Sequence, residues 1–217
     1  MTALLRYQTA LLLRSQRWLA PFLLYAAFVG VGINAGEPVL GALGYAVAGL
    51  VPVTAWAVRI CLGQEPPAAR TVIAATAGRA RAHMAAILTG TGATLLVGVV
   101  AVLAVTVVSD HRTAAPLPAA TAGVLAATVC VLTGATIGTL TTRPLVRSRG
   151  WSLTTLLLGS LLALVTTGSP AASAVSALVT AASHGAAVPY PWLAGAGAIA
   201  LTTTAVALAC RATAWRD

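Results

Sequence analysis

Apolar residues run through this chain in long blocks, each closed by a short cluster of polar, glycine and proline positions. In order, the blocks predict an all-α, polytopic membrane fold with six spans, at about 18–34, 39–61, 84–108, 119–141, 151–168 and 192–210. A helix rises about 1.5 Å per residue, so about 20 apolar residues match the hydrocarbon thickness of a bilayer. Residues 2–17 differ. At about 100° per residue, Arg6, Arg14 and Arg17 share one sector, while Leu4, Leu5, Leu11 and Leu12 fall on the opposite side. This pattern predicts an amphipathic interfacial helix, leucines in the acyl boundary and arginines among the headgroups. The alternative is a cytoplasmic extension of the first span.

The breaks between blocks carry the local signals. Asn34-Ala35-Gly36-Glu37-Pro38 reads as a turn. Pro52 is expected to kink span two, and Arg59 near its end reaches the headgroups by snorkelling. Between spans two and three lies QEPPAARTVIAATAGRARAH, residues 64–83. Pro67 suits a first helical turn and Gly78 the position just past a helix end. A short helix from Pro67 to Ala77 is expected within a connecting element at about 65–80. Glu65 before it and Arg79 and Arg81 after it match the helix dipole. It is expected to lie at a membrane surface rather than to cross. Gly134 and Gly138 in span four form a GxxxG spacing that lets another helix approach closely. Span five is short, and an element at about 169–191 follows. Ser169-Pro170 starts a helix there and His184-Gly185 stops it. That helix is too short to span, so a re-entrant or surface-lying placement on the far side is expected.

Composition explains why lipid must be the solvent. Of the 217 residues, 59% are apolar and 8% charged, with a mean hydropathy of +0.91; a soluble domain carries about 25% charge. All 13 basic residues are arginine, and the net charge is +9. The arginines flank apolar spans instead of clustering with aromatics, which argues against nucleic acid as a partner. With six alternating spans, every arginine except Arg112 falls on one side. The excess of positive charge then places both termini and the 65–80 element in the cytoplasm, with the chain in the cell membrane. A seventh span from Ala171 to Val188 would move the C-terminal arginines outside, so six is preferred. No cleavable signal peptide is expected.

Candidate chemistry is sparse. Cys61, Cys130 and Cys210 have no CxxC spacing, and His83, His111 and His184 are scattered, so no metal site is expected. The acids Glu37, Glu65, Asp110 and Asp217 all lie outside the span centres, which leaves no ion-coupled path. Ser160 with His184 lacks a nucleophile's glycine-rich setting; a lone serine in an apolar helix bonds its own backbone. Asp110-His111-Arg112 reads as a solvated loop. Without lysine the chain cannot form a phosphate-binding GxxxxGK[ST] loop. The chain is therefore expected to be no enzyme and to hold no cofactor; ATP-driven work would need a separate engine.

These elements together resemble the permease subunits of ABC exporters of the two-subunit, six-span (type V) kind. The architectural resemblance covers nearly the whole chain. In sequence it is concentrated in Pro52 to His83: Pro52-Val53-Thr54-Ala55-Trp56-Ala57-Val58-Arg59, then Glu65-Pro66-Pro67-Ala68-Ala69-Arg70 and Gly78-Arg79-Ala80-Arg81, which are similar to actinobacterial members. The chain departs from better-known members in lacking large extracellular domains and in a very short loop between spans four and five. The resemblance implies a second permease copy or homologue, and an ABC-type ATPase dimer that carries ATP and magnesium. It also implies that the 65–80 helix is the coupling helix. Glu65, Pro66, Arg70, Arg79 and Arg81 would then contact the ATPase, and Val72 and Ile73 would fill its groove. A hydrophobic or amphipathic cargo (lipid, peptide or antibiotic) would suit the Ala-, Leu- and Val-rich spans. The alternative is a non-transport membrane protein (immunity, sensor or assembly factor) that acts by binding.

Overall fold

The computed structural model describes residues 1–34, 36–110, 114–141, 149–185 and 187–214. These fold into α1 (Thr2–Ser15), α2 (Leu19–Gly32), α3 (Val39–Gly63), α4 (Pro67–Ala77), α5 (Arg79–Val108), α6 (Pro116–Leu140), α7 (Arg149–Val165), α8 (Pro170–His184) and α9 (Trp192–Ala214). Four of them, α3, α5, α6 and α9, are long and apolar enough to cross a membrane. Helices α7 and α8 meet at a 48° bend and make a fifth crossing if they act as one broken span. Helix α2 is apolar but has 14 residues. It is about 21 Å long at 1.5 Å per residue, shorter than a ~30 Å hydrocarbon core.

Helix α3 is the axis of the bundle. It runs through Pro52 without ending, and Leu43, Ala46, Val47, Leu50, Val51 and Val58 are all fully buried. Small residues let its neighbours close on it. A Cβ added at Gly134 of α6 would sit 2.5 Å from the Val51 carbonyl oxygen, and one at Gly138 would sit 2.8 Å from that of Ala55. The GxxxG pair is therefore used within the chain, packing α6 on α3. In hydrocarbon no hydrophobic force draws two apolar helices together, so such close approach supplies the packing energy instead.

Hydroxyls and phenols fasten the remaining helices. Tyr25 of α2 donates to the Ala46 carbonyl of α3 at 3.1 Å, and Phe28 stacks on Tyr45 with centroids 4.2 Å apart. Thr202 of α9 lies 3.1 Å from the Thr136 hydroxyl, and its one proton is shared between the Leu132 carbonyl of α6 at 3.0 Å and the Ala198 carbonyl of its own helix at 2.7 Å. Interhelical bonds of this kind average about 0.6 kcal/mol in membranes. Thr202→Val should therefore lower the melting temperature of the purified protein slightly, and far less than a substitution at Gly134. At the end of the bundle remote from α4, Asp110 N–H donates to the Glu37 carbonyl at 2.9 Å and Val39 N–H to that of Asp110 at 3.2 Å. This bridge joins the α2–α3 turn to the end of α5.

Two elements expected at or near a membrane surface pack on protein. For α8, expected to be re-entrant or surface-lying, the 48° bend to α7 is that of a broken span or a re-entrant loop. The α8 residues Ala171, Ala174, Leu178 and Ala181 are buried, and Val179 and Ala182 lie against Gly44 and Gly41 of α3. The end of α7 sits lower, where Leu164 shares a cleft with Pro52 and Val53. Helices α7 and α8 thus divide the length of α3 between them. An alanine-rich face carries little hydrophobic contrast, so its burial does not show in a periodicity. Helix α1 also packs on protein. Leu12 is 4% exposed and clusters with Cys61 of α3 and Ala86 of α5, whereas Leu13 is 59% exposed. The leucine face of α1, with Leu4, Leu5 and Leu11 half-buried and Leu12 buried, is thus turned to protein, and Leu13 lies on the arginine side.

Candidate functional site

A cluster of polar side chains lies where α3 turns into α5. Helix α3 ends at Gly63, Gln64 to Pro66 make the corner, and α4 follows for 11 residues. Gly78 alone separates α4 from α5, with φ +85° and ψ 140°. A positive φ strains any residue with a Cβ, so glycine permits this one-residue turn. The chain therefore makes a rigid elbow: helix, short corner, helix, single glycine, helix.

The two faces of α4 are unequal. Ala69, Ile73 and Ala77, spaced by four, are half-buried and form its inner row. Val72, Ala75 and Thr76 are exposed, Val72 at 63%. An apolar residue held outward on a short polar-flanked helix is available to a partner. Of the two apolar residues expected to fill a partner's groove, Val72 points outward, whereas Ile73 belongs to the inner row. Pro66, Arg70, Arg79 and Arg81 are exposed along the same elbow. Arg70 also works within the chain, since its guanidinium donates to the Leu62 and Glu65 carbonyls at 3.5 and 3.4 Å. It thereby occupies the Leu62 carbonyl, one of those that the end of α3 leaves unpaired.

Glu65 turns inward. Its carboxylate accepts a short hydrogen bond from the side-chain amide of Gln8 on α1. The Gln8 carbonyl oxygen accepts in turn from Gln64 Nε2 at 3.2 Å. Gln8 is only 1% exposed, yet both ends of its carboxamide are engaged. Two further side-chain atoms at the elbow, Gln64 Oε1 and His83 Nε2, are buried without a partner. His83 precedes the apolar run that begins at Met84. Burial, and after it the Arg70 charge, lowers its pKa below the usual histidine value, so the ring is neutral at pH 7.

Gln8 and Gln64 belong to this hydrogen-bonded cluster and are absent from the sequence expectation. A signal existed for the first: Gln8 stands four residues from both Leu4 and Leu12, a lone polar group inside the apolar face of α1. Elsewhere, the Ser160 hydroxyl donates to the Leu156 carbonyl at 2.8 Å within its own helix, and His184 is exposed at the end of α8. Among the described residues no three His, Cys, Asp or Glu side chains stand close enough to hold a metal ion. His111, Arg112, Arg143, Arg147, Arg216 and Asp217 lie outside the described residues.

A second feature is apolar. A cleft of about 230 Å³ opens between α2, α3 and the end of α7, lined by Leu24, Tyr25, Phe28, Pro52, Val53 and Leu164 among others. The Tyr25 hydroxyl is spent on Ala46. No protein family profile, curated protein or solved structure matches this chain.

Proposed function

We propose that this chain is the membrane-spanning subunit of an ABC exporter, with α4 as the coupling helix gripped by a separate ATPase that binds ATP and magnesium. In this assignment α2, α3, α5, α6, the bent pair α7–α8 and α9 make six crossings of the cell membrane. Both termini and α4 then face the cytoplasm, in keeping with the arginine distribution. The shortness of α2 is tolerable, because a bilayer thins locally around a short apolar helix at modest cost.

One observation carries the proposal: α4 offers an outward apolar residue, Val72, on a helix joined to two long spans by a three-residue corner and a single glycine. A displacement of α4 by a partner would reach α3 and α5 with little slack. The apolar cleft beside Pro52 is suited to a hydrophobic or amphipathic cargo, since its lining is almost entirely hydrocarbon. The exposed leucines of α7, Leu157, Leu158, Leu161 and Leu162, supply a face for lipid or for a second permease copy. The test is co-expression with an ABC-type ATPase subunit from the same genome. A complex that survives purification, with ATP hydrolysis altered by the membrane subunit, is expected. Function without any nucleotide-hydrolysing partner would refute it.

A further inference from the structure

We propose that Gln8 is a positioning residue that locks α1 to the elbow, so that α1 and α4 move as one body. The chemistry of its side chain is what the position requires. A carboxamide both gives and receives, and here it gives to the Glu65 carboxylate and receives from Gln64. Gln8 is almost wholly buried, so losing one partner strands a polar group away from water. Leucine in its place would keep the volume and lose both bonds.

The lock matters because of what α1 is joined to. Helix α1 ends at Gln16, which adopts a left-handed conformation with φ 52°, and Trp18 donates from Nε1 to the Leu13 carbonyl at 3.4 Å. Helix α2 starts after two intervening residues and is fastened to α3 at Ala46 by Tyr25. A displacement of α4 therefore has a second route into the bundle, through Gln8 and α1 to α2, besides its covalent links to α3 and α5.

The claim of docking concerns this chain alone; the claim of transmission rests on the coupling-helix assignment. Both are tested on the full chain in nanodiscs, with Cys61, Cys130 and Cys210 changed to Ala. Nitroxide labels at Leu13→Cys and Ala75→Cys report the α1–α4 distance by pulsed dipolar spectroscopy. A single narrow distance is expected in the parent. In Gln8→Leu the population of other distances should rise about tenfold or more, as expected for loss of a hydrogen bond to a charged group. Glu65→Leu should do the same from the other side, whereas Glu65→Gln, which keeps an acceptor oxygen, should stay narrow. Distances as narrow in Gln8→Leu and Glu65→Leu as in the parent would overturn the lock. With the ATPase present, Gln8→Leu should still capture it yet lose most of the change in hydrolysis rate that the parent produces. A broadened distance with unchanged stimulation would overturn transmission through α1. Failure of the parent itself to capture an ATPase would remove the coupling-helix assignment, and the distance measurement would still decide the lock.

Discussion

Gly134→Leu should destabilise the bundle by about 3 kcal/mol or more, at the upper end of what overpacking a core costs. The reason is the atom the new side chain would meet. Its Cβ would lie 2.5 Å from the Val51 backbone oxygen and 2.8 Å from the Thr54 Cβ. A flexible side chain can rotate away; a helix backbone can only retreat. Helices α3 and α6 would separate along the contact that also includes Ala55 and Val58, against which Gly138 packs. For a chain of this size each kcal/mol is worth about 2–4 °C in melting temperature. The matched control is Gly92→Leu, since nothing lies within 4 Å of a Cβ there and the residue is exposed. Thermal melts of the two purified variants should differ by about 10 °C. Equal melts would mean that α6 does not pack on α3 through Gly134.

Val72→Asp should abolish capture of the ATPase while leaving the chain folded. Val72 is 63% exposed, so the substitution removes little packing within the chain, and its effect on stability should stay within about 0.5 kcal/mol. At an interface the same change puts a carboxylate where an apolar anchor sat. Truncating such an anchor costs about 2 kcal/mol or more, so binding should weaken at least about thirtyfold. Pull-down and ATPase stimulation are the readouts. Glu65→Arg is a poorer probe than the sequence alone implies. Glu65 accepts from Gln8, so reversing its charge would disturb α1 as well as any partner. Val72→Asp separates the two effects. Wild-type binding and stimulation by this variant would remove α4 as the gripped surface.

Helix α4 begins at Pro67 and stops before Gly78, the two residues that mark it in the sequence. Proline and glycine act through local backbone geometry, so their meaning survives without knowledge of the fold. The same holds for α8, which begins at Pro170 and stops before Gly185, at φ +60°. Its burial against α3 was not legible. Ala171, Ala174 and Ala181 contrast too little with their neighbours to reveal a buried face, and Gly41 and Gly44, which make room for it, lie about 140 residues earlier. The direction of Glu65 was hidden for a related reason. A carboxylate near a helix start satisfies the dipole rule whether it faces a partner or its own chain. What decides is Gln8, whose place on the leucine face of α1 was visible but had no partner in the sequence to explain it.

The side of the membrane on which α4 lies bears most directly on this account. Ala75 is exposed on the outer row of α4. A single thiol introduced by Ala75→Cys, in a chain with Cys61, Cys130 and Cys210 changed to Ala, can be challenged with a membrane-impermeant maleimide. The account predicts no labelling in intact cells and full labelling after permeabilisation. Labelling in intact cells would put α4 outside, beyond the reach of any cytoplasmic ATPase.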